Sequence, residues 1–381
     1  MNKISIFTKT AVGWFIQVNC IILALMMLAN PLLAKNFKPV GIKETESVEF
    51  ARTLHRGWNL GNTLDASKFS AECEEQFGVE TETLWGNPLT TKELFAYVRE
   101  TGFDFVRIPV TYKNHFKMEP GYEIDKAWLD RVQQIVDYAL ECDLKVIINI
   151  HHDCTTSGDN KIWFVADLAH YDTTRDILTS LWSQIAERFK DYDNNLIFET
   201  LNEPAYANTK YQGHGNDESR YVLGKLNIET LNAIRATGGE NENRFVMLPT
   251  HGACNNYDTN SAFVFPDDPH VLVSVHGYVE TDSKFHDITV WHDLFMIQKF
   301  FLNKGYGTVI GEFGEIIHPD DTEERLQKIA ADFKLQVEVA DKFGVPSCFW
   351  DDGGEHHVID RRTLTPYCAQ TLAALTGYTQ E

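Results

Sequence analysis

Val146-Ile147-Ile148-Asn149-Ile150-His151-His152-Asp153 decides how this chain is read: a short, mostly apolar run that ends abruptly in polar side chains. Such a run, rich in Val and Ile without clean alternation, is the pattern of a strand buried on both faces. Seven others of the same kind lie at Gly57–Leu60, Val106–Val110, Leu196–Leu201, Arg244–Pro249, Val271–His276, Thr308–Phe313 and Ser347–Trp350. Between most of them stand amphipathic stretches with apolar residues at helical spacing. Asp125–Cys142 carries Val132, Ile135, Val136 and Ala139; Thr174–Tyr192 carries Ile177, Leu178, Leu181 and Ile185; Thr322–Phe343 carries Leu326, Ile329, Phe333 and Val337. Thr90-Thr91 and Asp321-Thr322 are start signals, and Gly102, Gly305 and Gly344 are stop signals. Strands alternating with helices imply a parallel sheet. Eight units of roughly 40 residues predict a single-domain (β/α)8 TIM barrel rather than an open sheet. No Gly-x-Gly-x-x-Gly follows the first run, as an open dinucleotide fold would want.

The 381 residues contain 55 Asp and Glu against 34 Lys and Arg, a net charge of −21. That balance counts against a nucleic-acid or anionic-membrane partner, both of which are bound through basic patches. Residues 1–34 have a short basic start, Lys3 and Lys9, no Asp or Glu, and an apolar stretch that includes Ile21, Leu25 and Met27. They read as a secretory signal peptide ending at Ala34, which leaves 35–381 as the barrel and places the protein in the periplasm or outside the cell. An uncleaved anchor is the alternative, and Asn19, Asn30 and Pro31 weigh against it. With the leader gone, no stable membrane association is expected, and the protein is expected to act as a monomer. The cysteines make no disulfide scaffold; Cys142 and Cys348 are read as buried thiols, while Cys154 and Cys254 are left open as a pair.

In a barrel of this type catalytic groups sit at the C-terminal ends of the strands. Those positions hold Asn62 after the first run, Arg107 in the second, His151-His152-Asp153, Asn202-Glu203-Pro204, Thr250-His251, His276-Gly277-Tyr278, Glu312-Phe313-Gly314 and Trp350-Asp351-Asp352. Glu203 and Glu312 stand out because each terminates a run that is otherwise core. Hydrolysis of a glycosidic bond needs two carboxyl groups, one protonated and one ionised. Like charges in one mouth make one carboxyl hold its proton more tightly than in water. Arg107 is suited to keep the other ionised, and His276 and Tyr278 to orient the pair. Successive strand residues point to opposite faces, so His151 and His152 are not expected to share a metal. No metal and no cofactor are expected. Trp85, Trp163 and Trp291 fall after the first, third and sixth runs, where their faces could stack on sugar rings, while Trp128 and Trp182 read as packing. Asp351, Asp352, His356 and His357 read as solvated loop residues.

Taken together, GWNLGNTLDA (57–66), TLWGNPLTT (83–91), GFDFVRIPVTY (102–112), VIINIHHD (146–153), FETLNEP (198–204), VSVHGY (273–278), IGEFGE (310–315) and FWDDGG (349–354) resemble glycoside hydrolase family 5. The likeness is to its secreted endo-β-1,4-glucanases and xyloglucanases, and it covers residues 45–375 with every motif in order. It implies a retaining double displacement with Glu203 as acid/base and Glu312 as nucleophile. Asn202 would bond the sugar 2-hydroxyl, Tyr278 would hold the nucleophile, and Arg107 and His276 would support the carboxylates. His151, His152 and Trp350 would line the subsite of the scissile sugar. The implied partner is a β-glucan, with mannan, xylan or mixed-linkage glucan as alternatives, and an inactive carbohydrate-binding barrel as a reading of another class. One departure stands at the eighth run: the branch often has Trp-Asp-Asn where this chain has Trp350-Asp351-Asp352, followed by Gly353-Gly354-Glu355-His356-His357.

Overall fold

The computed structural model describes residues 3–154, 161–205 and 213–379. Eight parallel strands close into a barrel in sequence order: β1 (Arg56–Asn59), β2 (Phe105–Ile108), β3 (Lys145–Asn149), β4 (Leu196–Glu199), β5 (Val246–Pro249), β6 (Val271–His276), β7 (Thr308–Phe313) and β8 (Ser347–Phe349). Closure comes from β1 pairing with both β2 and β8, with Arg56 opposite Ser347 and Trp58 opposite Phe349.

The chain enters through α1 (Lys3–Ala29), α2 (Pro31–Asn36) and α3 (Glu46–Ala51). The helices that follow the strands are α4 (Lys92–Glu100), α5 (Lys126–Leu140), α6 (Tyr171–Arg188), α7 (Asp217–Ala236), α8 (Tyr257–Ala262), α9 (His286–Phe300), α10 (Glu323–Phe343) and α11 (Ala369–Thr376). Their boundaries follow local chemistry. The Asp125 carboxylate accepts from the Trp128 amide to start α5, and Thr322 caps α10, which ends on Gly344 in the left-handed conformation. A small hairpin of β9 (Ile359–Asp360) and β10 (Thr365–Pro366) precedes α11.

Because strand side chains alternate, one set points into the barrel and the other under the helices. Trp58, Val106, Ile148, Phe198, Leu248 and Val273 belong to the outer set, packed with helix residues such as Trp128, Val132 and Trp182. The inner set begins with an apolar plug at the N-terminal end: Phe105, Ile147, Ile197, Met247, Leu272, Val309 and Cys348, sealed by Ala51 and Leu54. Above that plug the interior becomes polar, and this change of layer positions the site.

Helix α1 lies along α9. It buries Cys20, Ala24 and Met27 but leaves Trp14, Phe15, Ile21, Ile22, Leu25 and Met26 exposed. No helix among the described residues is long and apolar enough to cross a membrane. All seven cysteines are free thiols, so Cys154 and Cys254 are not paired; Cys348 is buried as expected, whereas Cys142 is only partly so, because it lies just past the end of α5.

The plug leaves no slack. A Cβ on Gly57 would come within 2.2 Å of the Phe105 ring and 2.7 Å of the Cys348 sulfur. Gly57→Ala is therefore expected to destabilise by about 1–3 kcal/mol through overpacking. Ile197→Ala, which empties the same layer, is expected to cost about 2–5 kcal/mol. Urea denaturation midpoints of the two variants check both.

Candidate active site

The polar layer above the plug is built on Arg107, whose side chain is fully buried on β2. Its Nε donates to Glu199 at 2.7 Å, Nη1 to Asn59 at 3.0 Å and to Glu312 at 2.7 Å, and Nη2 to Asn202 at 2.7 Å. Glu199 also accepts from Asn149 at 2.9 Å and from Ser274 at 2.5 Å. Burial alone would weaken the guanidinium's hold on its proton, but the charges of Glu199 and Glu312 outweigh it and hold Arg107 more firmly charged. The pattern satisfies almost every donor and acceptor, which is the condition for keeping ions out of water.

Glu312 is the last residue but one of β7 and is 5% exposed. One oxygen accepts from Arg107, and the other accepts from the Tyr278 hydroxyl at 2.9 Å. Glu203, on the loop after β4, is about a third exposed and meets His276 Nδ1 at 2.9 Å through Oε1. The same nitrogen lies 3.5 Å from Glu312. His276 therefore stands between the two acids, and one ligand atom from each of Glu203, His276 and Glu312 lies within 4.8 Å of the others.

This geometry moves the proton that the sequence argument had assigned to a carboxyl. Burial disfavours charge on His276, but Glu312 and the hydrogen bond to Glu203 raise its affinity for a proton above that of ordinary imidazole. Burial pushes Glu203 up, and the contact with His276 more than reverses it, so Glu203 is held below the usual carboxylate range. Both shifts favour the shared proton on the imidazole over Glu203.

His151 is buried, with its Nε2 4.0 Å from Glu312, and its ring lies parallel to Trp350 at 5.6 Å. His152 touches Asp65 at 3.4 Å. The expectation that these histidines face opposite ways is overturned: their rings are 4.5 Å apart, and Asp65, His151 and His152 could offer ligand atoms to one ion. The reason is that β3 ends at Asn149, and alternation no longer applies beyond a strand's end. In both metal-capable sets at the mouth the carboxylates already have protein donors: Asp65 accepts from the Asn62 and Thr63 amides, and Glu203 and Glu312 from the groups above.

Asn62 sits after β1 with φ +54°, its carbonyl bonded by Asn87. Trp85 is half-buried against Phe69 and His152, its indole nitrogen on the Ser67 carbonyl, and it remains a sugar-facing candidate. The other two tryptophans do not. Trp163 is anchored by its indole nitrogen to Asp153 at 2.6 Å. Trp291 is not in a loop but in α9, buried against Phe37 and Phe295. Asp351, read as solvated, is fully buried and paired with Arg361 at 2.9 Å. Not singled out from the sequence are Asn149, Glu199 and Ser274. Their signal was present as period two: Asn149 falls two residues after Ile147, and Glu199 two after Ile197, each on the inward face.

A family model for cellulase (glycosyl hydrolase family 5) matches residues 64–355. The chain belongs to glycoside hydrolase family 5. It is 34% identical over 356 residues to the cellulase/esterase CelE of Acetivibrio thermocellus, covering 88% of this chain and 41% of that protein. It is 36% identical to endoglucanase A of Clostridium longisporum, covering 86% of this chain and 65% of that protein. The chain thus spans less than two thirds of each of these two relatives. Among solved structures, a GH5-4 broad specificity endoglucanase from Clostridium acetobutylicum superposes with a TM-score of 0.77 at 34% identity, covering 88% of this chain and all of that one. A xyloglucan-specific endo-β-1,4-glucanase from a metagenomic library, in complex with cellotriose, does so at 0.77 and 31%, covering 87% and 98%.

Glu199 is the acceptor for Arg107 Nε, Asn149 and Ser274. Its replacement by Ala should leave these buried donors unsatisfied and break a buried ion pair, at a cost of about 3–5 kcal/mol. The expected result is a lowered thermal midpoint together with lost hydrolysis, read by calorimetry and by reducing-sugar release from the same preparation.

Proposed function

We propose that this glycoside hydrolase is an endo-acting β-1,4-glucanase that works by retaining double displacement, with Glu203 as acid/base and Glu312 as nucleophile. The observation that carries the reading is the approach of the two acids to within 4.8 Å across one mouth. Retaining enzymes place their carboxyls about 5–5.5 Å apart, and inverting ones about 6.5–9.5 Å, leaving room for a water.

The steps follow from the contacts. Glu312 is paired with Arg107 and aimed by Tyr278, which places its oxygen to attack the anomeric carbon. As the bond to the leaving oxygen stretches, that oxygen becomes basic and takes the one proton that His276 passes through Glu203 across their hydrogen bond, leaving a neutral imidazole and a Glu203 carboxylate. The product is a glycosyl ester on Glu312, with the leaving sugar free to depart. Glu203 then takes a proton from water as that water attacks the ester and returns it to His276, and Glu312 is released as a carboxylate. Asn202 accepts from Arg107 through its oxygen, which leaves its amide N–H groups available to the sugar 2-hydroxyl. His151 and Trp350 form one wall of that subsite. The double displacement uses only side chains and water.

Support for a glucan comes from the relatives, one named a cellulase/esterase and the other an endoglucanase, and from the cellotriose complex of a solved relative. Cellulose-like glucan and xyloglucan are the proposed substrates. We further propose that residues 1–34 direct export and are removed, because α1 leaves exposed to water Trp14, Phe15, Ile21, Ile22, Leu25 and Met26 among its described side chains.

Glu203→Gln and Glu312→Gln are each expected to lower reducing-sugar release at least about 100-fold, with the β anomer as first product of the wild type by NMR. If wild type is active and neither change reaches that loss, the assignment is wrong. Initial rates on carboxymethylcellulose, xyloglucan, lichenan, mannan and xylan test the substrate. In His276→Asn the proton must reside on Glu203 itself. Since His276 holds it to higher pH than a carboxyl does, the basic limb of kcat/KM is expected to move to lower pH in this variant.

A further inference from the structure

The loop after β8 is where this chain departs from Trp-Asp-Asn, and Asp352 has a job there that asparagine would do differently. Its Oδ1 accepts from the amides of Gly354 at 2.7 Å and His356 at 3.0 Å. Its Oδ2 lies 3.5 Å from His356 Nδ1, and its own amide donates to the His356 carbonyl at 2.7 Å. A carboxylate can only accept, so it favours the tautomer of His356 with hydrogen on Nδ1, whereas an asparagine would turn its NH2 toward that nitrogen. Burial opposes charge on Asp352, but the His356 and Gly354 contacts hold it below the usual carboxylate range. The loop is fastened on both sides. Asn87 donates to the Asp352 carbonyl at 2.9 Å, Ile317 to the Glu355 carbonyl at 2.9 Å, and Arg361 pairs with Asp351.

The ring so placed meets Tyr278. The two centroids are 6.2 Å apart with the planes at 72°, an edge-to-face contact. Tyr278 is 45% exposed, so packing around it does not by itself confine a phenol whose hydroxyl must stay 2.9 Å from Glu312. We propose that His356, oriented by Asp352, is a positioning residue that confines Tyr278 and thereby keeps its hydroxyl on Glu312. This rests on the reading of Glu312 as nucleophile.

The test measures kcat and KM separately on an aryl β-cellobioside, with Glu312→Gln run in the same assay. His356→Ala is expected to lower kcat about 5- to 20-fold with KM within about twofold, because His356 acts through Tyr278 rather than on the sugar. His356→Phe keeps a ring edge on Tyr278 and is expected to return kcat to within about threefold of wild type. In a Tyr278→Phe background, where there is no hydroxyl to position, His356→Ala should add less than about twofold. Asp352→Asn, the milder change, is expected to lower kcat several-fold with KM unchanged, and it carries the test if His356→Ala does not fold. An unchanged kcat in His356→Ala or in folded Asp352→Asn overturns the proposal. So does a rise in KM alone, or an undiminished effect in the Tyr278→Phe background. Full activity in Glu312→Gln would overturn the functional reading itself, and this inference with it.

Discussion

The rest of the site depends on one buried cation. Arg107 is enclosed in the barrel and ties four side chains from separate strands and loops: Asn59, Glu199, Asn202 and Glu312. A guanidinium removed from water is stable only if carboxylates and carbonyl oxygens replace that water with good geometry. Its planar fork therefore dictates where those partners stand. Glu199 is the partner that balances charge below the mouth, and Glu312 is the one that faces the cleft. The proposed nucleophile is thus preorganised by the same contact that makes burial of Arg107 tolerable.

From that constraint the layering of the interior follows. The apolar plug of Phe105, Ile147, Ile197 and Met247 closes the N-terminal end and keeps water from reaching the ion pair from below. The polar layer lies over it, and the acids, His276 and Tyr278 form the open surface. His276 then settles the electrostatics of that surface. The imidazole stands between two carboxylates, and its contacts with them favour a proton on the ring over one on Glu203. Members of family 5 are compared by their motifs, but the division of labour among these groups is a matter of distances of a few ångströms.

Much of the architecture was legible in the residues. Runs such as Val146–Ile150 are too short and too rich in β-branched side chains for anything but buried strands, and the cap at Thr322 begins a helix where expected. Glu203, Glu312 and Arg107 were conspicuous because charge in an apolar run demands a reason. Less legible were side chains whose role depends on which way the strand faces. Glu199 looked like the approach to the Asn202-Glu203-Pro204 motif, and only alternation within β4 turns it inward onto Arg107. Alternation also misled: applied past the end of β3, it separated two histidines that the loop brings together. Trp291 was read into a loop because the helical stretch around it is apolar on most sides, which blurs any amphipathic pattern.

The sequence alone determined the eightfold strand–helix alternation and the standing of two acids at or just beyond the ends of strands. These are local properties, set by periodicity, capping and the cost of placing a charge in an apolar run. The tertiary structure alone decided who holds whom. Arg107 and Glu312 are 205 residues apart in the chain, Tyr278 and Glu312 34, and Arg361 and Gly61 300. Contacts over such separations arise only when barrel closure sets the register of every strand, and the proton's place on His276 follows from that register.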